Sequence, residues 1–411
     1  MRYPTFSAVG DPRRPGRILL AAWAILLFHA TLDCAGPPNR VRLEGRVFNG
    51  VTWRPVSGAT VSWGKVQART DAAGVYSLAV PAGVRRIAAT GPGTGKAEKI
   101  VYLRPPAERV RLDFLLPAQA RVEPAVLALD RGLPITAGGK DLKRDLAGAG
   151  ALTVADAFGN GDRPVQLGPG GAHAHAPVWL ERGRSILWGL AALAKDKKSL
   201  GPLGVYRHDL DSGKSRQIAG GVGIRFLALS PDGKQVAAAD YRSVFVSPTQ
   251  PSQPGPLQSI FSLGTAPGSV LSVAWGVDGR IYFTVDDQVP LDASRSFSRS
   301  RIASIRPDGS DYQAGWQAAP DASFRYPFFM ADGAAIFTKF SLDGSDQTLW
   351  RISPPGPGAV KIHAPALRAA GTDAAQGRLY YIYQNSLHLR VIESGADFII
   401  AQSVEQADCR P

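Results

Sequence analysis

His173 and His175 stand two residues apart, a spacing that puts two imidazoles on one side of an extended strand, within reach of one divalent ion. Nothing nearby in sequence supplies a third ligand, and an exposed loop pair is the competing explanation. No cofactor is otherwise implied; a divalent metal at this pair is the exception. Three acidic turns, Asp209-Leu210-Asp211, Asp286-Asp287 and Asp343-Gly344-Ser345-Asp346, offer oxygen ligands. None has the calcium-loop pattern with its closing glutamate, and Asp-Gly and Asx turns account for all three. Gly91 to Lys96 imitates a phosphate loop, but Thr90 stands where its first glycine belongs and Ala97 where Ser or Thr would hold magnesium. Strands flank it on both sides, so a hairpin tip is expected. No G-x-S-x-G occurs, which removes the nucleophile elbow of serine hydrolases. No catalytic constellation is therefore expected.

These residues must be positioned by a phrase that recurs six times. Its clearest copy is Leu229-Ser230-Pro231-Asp232-Gly233-Lys234-Gln235-Val236-Ala237, an apolar strand, an Asp-Gly turn and a second apolar strand. Related turns lie at Arg131-Gly132, Arg182-Gly183, Asp278-Gly279, Asp332-Gly333 and Gln376-Gly377, with glycine-to-glycine gaps of 51, 50, 46, 54 and 44 residues. A strand-rich period of about 40–50 residues marks the blade of a β-propeller. Six copies predict six blades over residues 125–411, each beginning with its inner strand. The phrase Ser230-Pro231-Asp232-Gly233-Lys234 resembles the TolB-like propeller repeats, often called WD40-like. That resemblance implies fold and leaves activity open, because propellers host many unrelated functions.

Residues 40–117 read as a second, smaller β domain, joined to the propeller by a linker at 118–124. Val41 to Val47 alternates as a half-buried strand does. Then follow Pro55-Val56-Ser57-Gly58-Ala59-Thr60-Val61, Thr70-Asp71-Ala72-Ala73-Gly74-Val75-Tyr76-Ser77-Leu78 and Val80-Pro81-Ala82-Gly83. This succession resembles the carboxypeptidase regulatory-like family, whose domains are transthyretin-like β-sandwiches. The resemblance implies a small non-catalytic module without shared active-site residues. Some related sandwiches bind carbohydrate, which makes Trp53 and Trp63 candidate stacking faces; packing in the core or at the rim is the alternative.

The net charge of +13 is concentrated in this small domain, where 13 Lys/Arg face 5 Asp/Glu, a balance of +8. Such a surface favours anionic partners such as lipid head groups or acidic glycans; a solvated arginine-rich sheet face without a partner is the alternative. Nucleic acid is not an expected partner, since no recognition motif accompanies the charge. Residues 1–36 carry Arg13, Arg14 and Arg17 before an apolar run from Ile18 to Leu32, the order of an export signal. A cleaved signal, an uncleaved anchor helix, and a lipoprotein signal with acylation of Cys34 all remain open. If Cys34 is lipidated, Cys409 is a lone thiol; otherwise the two could pair. The expected fold is thus all-β, a sandwich and a six-bladed propeller behind a hydrophobic signal or anchor helix. The expected function is an extracytoplasmic, membrane-attached, non-catalytic binding or scaffold protein of the cell envelope, in the periplasm or at the cell surface, meeting an envelope protein or glycan. The alternative is a metal-dependent hydrolase or lactonase-like enzyme that uses the propeller channel.

Overall fold

The recurring turns do what their chemistry demands. Gly233, Gly279, Gly333 and Gly377 adopt positive φ, between 60° and 82°, where glycine escapes the steric penalty of a Cβ. Three of the preceding residues cap their turns: Asp232, Asp278 and Asp332 each accept a backbone N–H two residues on. The structure, a computed structural model, describes residues 40–103, 109–118, 127–130, 152–161, 163–165, 174–180, 184–190, 203–290, 296–316, 322–341, 347–352, 359–363, 365–373, 376–402, 404 and 406–409. Every named element among the described residues is a strand. The expected signal or anchor helix, Cys34 and His173 lie outside them.

Eight strands come first: β1 (Arg40–Asn49), β2 (Thr60–Trp63), β3 (Val66–Arg69), β4 (Val75–Pro81), β5 (Gly83–Thr90), β6 (Ala97–Leu103), β7 (Arg109–Arg111) and β8 (Phe114–Leu116). They form two sheets, β4-β1-β7 with β8 also on β1, and β3-β2-β5-β6. The alternation in β1 sends Val41, Leu43 and Val47 inward to meet Val61, Leu78, Val80, Ile87, Ala89 and Val101. Residues 91–96 connect β5 to β6 as a hairpin tip. It is tied down, with Gly95 N donating to the Pro117 carbonyl.

The remaining strands make six sheets. β9 (Leu127–Asp130), β10 (Leu152–Ala155) and β11 (Arg163–Pro164) belong to the first blade. The second holds β12 (Ala174–Leu180), β13 (Ser185–Leu190), β14 (Gly204–Asp209) and β15 (Lys214–Gly220). The third holds β16 (Phe226–Leu229), β17 (Gln235–Ala239) and β18 (Ser243–Pro248); a short strand, β19 (Gly255–Pro256), pairs back onto β15, and β20 (Gln258–Ser262) completes the blade. β21 (Ser269–Trp275), β22 (Ile281–Pro290), β23 (Ser296–Ile305) and β24 (Gln313–Trp316) form the fourth. The fifth contains β25 (Ala322–Phe329), β26 (Ala335–Ser341), β27 (Gln347–Ile352) and β28 (Val360–His363). The sixth contains β29 (Arg368–Asp373), β30 (Arg378–Tyr383), β31 (Ser386–Val391) and β32 (Asp397–Gln402).

The C-terminal strand, β33 (Gln406–Cys409), pairs antiparallel with β9 and supplies the innermost strand of the first blade. The inner strands then touch in cyclic order, β33, β12, β16, β21, β25, β29 and back to β33. This is a closed six-bladed propeller, in which each blade is its own sheet and its inner edge is short and protected, turned toward the ring axis. One expectation is corrected. The first repeat does not begin with its inner strand: β9 is second in its blade, so the Gly132 phrase that follows it is one strand out of phase with the other five. The C-terminus fills the position that the first repeat lacks.

Sandwich and propeller pack as one unit running from Val41 to the C-terminus. Phe48, Trp53 and Leu115 of the sandwich share a core with Phe158 of the first blade and Tyr380, Phe398 and Ile400 of the sixth. At its centre is Lys99, 1% exposed. Its ammonium donates to the carbonyls of Asp113 at 2.9 Å, Phe158 at 2.8 Å and Ile400 at 2.9 Å. Asp113, also buried, accepts from Arg46 N and Ile399 N. A buried ammonium is tolerated where carbonyls replace its water.

Candidate functional site

Each inner strand contributes three or four residues to a lumen on the ring axis: Ala176–Val178, Phe226–Leu229, Ser272–Trp275, Tyr326–Phe329, Arg368–Ala370 and Gln406–Asp408. Its volume is about 180 Å³, below the roughly 300–1,000 Å³ of an ordinary small-molecule pocket. The lumen walls are therefore a poor enclosure for a sugar or peptide.

Local irregularity shapes these walls. The register of β12 slips between His175 and Val178, and that of β25 between Arg325 and Phe328. Both slips carry the same device, a non-glycine residue at positive φ followed by proline: Ala176 at 49° before Pro177, and Tyr326 at 55° before Pro327. Proline cannot donate to a ladder, and αL costs an L-residue about 1–2 kcal/mol. The bulge frees Tyr326 N to donate to Thr284 Oγ1 of the fourth blade, and Thr284 in turn hydrogen-bonds Ser272 Oγ at 2.7 Å. Neighbouring inner strands are thereby pinned to each other.

One mouth gathers His175, Asp130, Arg225 and Gln406. The Arg225 guanidinium donates to His175 Nε2 at 3.1 Å, and His175 Nδ1 lies 3.4 Å from Asp130 Oδ2. Arginine has no acceptor, so Nε2 must carry the lone pair and the proton sits on Nδ1, facing the carboxylate. Asp130 is fully buried and His175 is 5% exposed. Gln406 Nε2 donates to the Arg225 carbonyl at 3.0 Å, which links the closure strand to the same group. Outside this cluster Tyr241 is half exposed, with the Arg225 guanidinium 5.6 Å from its ring centroid. Further round the ring, Arg325 Nε donates to Ser300 Oγ at 2.7 Å, and Ser300 donates to Asp286 Oδ1 at 2.7 Å.

The sequence candidates land in different places. His175 is not an open ligand: the nitrogen that a metal would need is held by Arg225. Among the described residues no group of three or more His, Cys, Asp or Glu is placed to hold a metal. Asp209 accepts from Ser212 N and Oγ, bonds that hold its carboxyl below the usual range, as a turn aspartate should be. Asp287 is paired with Arg301, while Asp343 and Asp346 lie outside the described residues. Trp53 stacks on Phe398 at 5.5 Å, meets Phe158 edge-on, and has Arg378 over its ring. Its ring is thus engaged at the junction with the propeller. Trp63 packs against the sandwich core, with Arg85 5.4 Å above its ring. Cys409 is a free, buried thiol on β33. Burial pushes its pKa well up, with Asp408 and Asp373 adding to the shift, the opposite of a reactive cysteine.

Asp130, Arg225, Gln406 and the two bulges are absent from any sequence motif considered above. A usable signal existed in the two prolines inside apolar inner strands, His175-Ala176-Pro177 and Arg325-Tyr326-Pro327, since an interior proline marks a bulge.

No protein-family model matches the sequence, and no curated protein matches it. Among solved structures the chain is similar to TolB of Acinetobacter baumannii, with 13% identity over 85% of this chain and 82% of that one, TM-score 0.47. It is similar to a Bacteroides thetaiotaomicron protein of unknown function at 12% identity over 86% and 82%, TM-score 0.42. Oligogalacturonate lyase of Vibrio parahaemolyticus shares 9% identity over 61% and 71%, TM-score 0.41. Likeness this distant says nothing about activity, and the propeller assignment stands on its own strand order and closure.

Proposed function

We propose that this chain is an exported, membrane-attached binding protein of the cell envelope, in which a carboxypeptidase regulatory-like sandwich and a TolB-like propeller form one rigid platform for a protein or glycan partner. The observation that carries this reading is the state of the mouth. Its ionisable groups are engaged with one another, Asp130 with His175 and His175 with Arg225, instead of converging on an open point. Pre-paired groups on locked strands suit a fixed recognition surface, whereas catalysis needs a nucleophile or base with a free valence. Tyr241 beside Arg225 supplies the kind of exposed aromatic–arginine pair that anchors interfaces. The arginines ahead of the apolar run 18–32 support export, with attachment through that run or through Cys34. No helix among the described residues is long and apolar enough to cross a membrane.

The test is capture from envelope extracts with immobilised full chain, beside a Tyr241→Ala variant, and a turnover screen with peptide, ester and glycoside substrates. The expected result is a partner retained by the native chain and lost at least tenfold by Tyr241→Ala. Turnover abolished by a single substitution at the mouth would replace this reading with an enzymatic one.

A further inference from the structure

The outward face of β1 and β7 carries an arrangement that the sandwich does not need for folding. Alternation exposes Arg40, Arg42 and Arg46 on β1, with Glu44 half-buried between them, and exposes Arg109 and Arg111 on β7. The parallel register sets Arg42 directly beside Arg109, and Glu44 beside Arg111. Like charges in adjacent strand positions repel. The acids available are few: Arg42 reaches Glu44 at 3.8 Å and Arg111 reaches Asp113 at 3.4 Å. Among the described residues Arg40, Arg46 and Arg109 have no ion pair. On the other side of β1, the exposed positions of β4 are Val75, Ser77 and Ala79. These are short and uncharged, so β4 brings no acid to this face of the sheet.

We propose that this arginine face docks on an anionic lipid surface, the head groups of the membrane at which the apolar run 18–32 ends. Two features select this occupant. Five arginines against one glutamate, spread over about 20 Å of strand at about 3.3 Å per residue, match a plane of negative charge. Only residues 33–39 separate Leu32 from Arg40, a span of at most about 29 Å. An anchored chain therefore holds this face within reach of head groups, where tethering makes weak charge contacts effective. The proposal rests on the export reading for that tether but not on any partner of the propeller.

The experiment uses the full chain with Cys34→Ser and Ser77→Cys, so that the one accessible cysteine lies on this face, labelled with an environment-sensitive dye. The protein is mixed with vesicles of phosphatidylcholine alone or with one-third phosphatidylglycerol, each with and without a lipid-borne quencher. The expected result is quenching on the anionic vesicles only, abolished by salt near 0.5 M, where screening shortens the range of charge. Each surface arginine is worth about fivefold in partition, so Arg42→Ser, Arg46→Ser and Arg109→Ser together should weaken binding about 100-fold. The matching triple lysine variant, which keeps the charge, should bind within a few-fold of the native chain. Equal quenching on both vesicles, or a triple serine variant that binds like the native chain, overturns the proposal. So does a soluble acidic polysaccharide that binds this face while vesicles give no quenching. Insertion through residues 18–32 is read separately, by flotation of the chain with phosphatidylcholine vesicles at about 0.5 M salt. A chain that does not float there but is quenched on the anionic vesicles loses the anchor reading and keeps the docking surface, whereas one that floats without anionic quenching does the reverse.

Discussion

Ending the chain at Val404 removes the closure strand β33 and tests the ring directly. β33 makes four register pairs with β9, which supply about four backbone hydrogen bonds at about 1 kcal/mol each. Asp408 Oδ2 accepts from Trp179 N at 2.8 Å and Gln406 donates to the Arg225 carbonyl, together about 3 kcal/mol. Burial of Cys409 adds about 1 kcal/mol. Against this gross gain of about 8 kcal/mol stands the entropy of ordering four residues, about 5 kcal/mol. The net direct loss is about 3 kcal/mol, before counting the apolar flanks of β9 and β29 left bare. A loss of that size is a large part of the roughly 5–15 kcal/mol that holds a domain together. A milder version is Gly371→Ala. A Cβ there would sit 2.6 Å from Cys409 Cβ and 2.7 Å from the Cys409 carbonyl oxygen, so it wedges β29 away from β33 at a cost of about 1–3 kcal/mol. Urea unfolding followed by tryptophan fluorescence should show a lower midpoint for both, with the truncated chain far worse and open to proteolysis in the first blade. Midpoints and slopes unchanged in the truncated chain would refute closure through β33.

Lys99→Met should destabilise by about 3 kcal/mol, because three buried carbonyls lose their donor; thermal unfolding checks this, with the exposed Arg86→Met as a control expected within about 0.5 kcal/mol. Burial raises the Asp156 pKa, partly opposed by hydrogen bonds from the Asn160 and Phe158 amides. A carboxyl with a raised folded pKa contributes stability below its unfolded pKa that is lost as pH rises through the folded value. Asp156→Asn should therefore gain on the native chain as pH rises above the ordinary carboxylate value of about 4, as denaturation midpoints taken on both sides of that value will show. His208 behaves oppositely: burial lowers its pKa, so its contribution is present above about pH 6.5 and fades on acidification. His208→Gln should flatten that part of the stability profile. Titration calorimetry with zinc or manganese should find no binding that depends on His175, because Arg225 holds Nε2; a stoichiometric ion lost in His175→Ala would contradict the assigned tautomer.

Blade spacing was legible because a turn that demands glycine cannot drift: Asp-Gly at 232–233, 278–279 and 332–333 sets both the strand ends and the period. Strand faces in the sandwich were equally legible, since Val41, Leu43, Val61, Tyr76 and Leu78 obey a period of two. What stayed hidden depends on contacts distant in sequence. The closure of β33 on β9 joins residues nearly 280 positions apart, and four ordinary residues, Gln406 to Cys409, carry no local mark of it. The fate of Trp53 was illegible for the same reason. Its neighbours Phe158 and Phe398 come from the first and sixth blades, and a lone tryptophan near a turn looks alike whether it faces a glycan or another domain. His175 illustrates a different limit: the spacing to His173 allows two imidazoles to share a side of a strand, but says nothing of the arginine that holds His175 Nε2.

The sandwich sits at the seam of the ring. A propeller closed by strand exchange has one seam at which chain termini meet, here between the first and sixth blades. Lys99 bridges that seam, since Phe158 belongs to the first blade's connections and Ile400 to β32 of the sixth. Asn160 Nδ2 donates to the Leu115 carbonyl on one side, and Ile399 N to Asp113 on the other. The same pair of blades shares one apolar core with Phe48, Trp53 and Leu115. Two fasteners thus act in parallel: β33 from inside the ring and the sandwich from outside it. Opening the seam must strip both, so force or heat applied to either end of the chain meets a joint stronger than a four-residue strand could make. Under the attachment and partner proposed above, tension between tether and propeller mouth would cross this junction, and the buried lysine lies in its path.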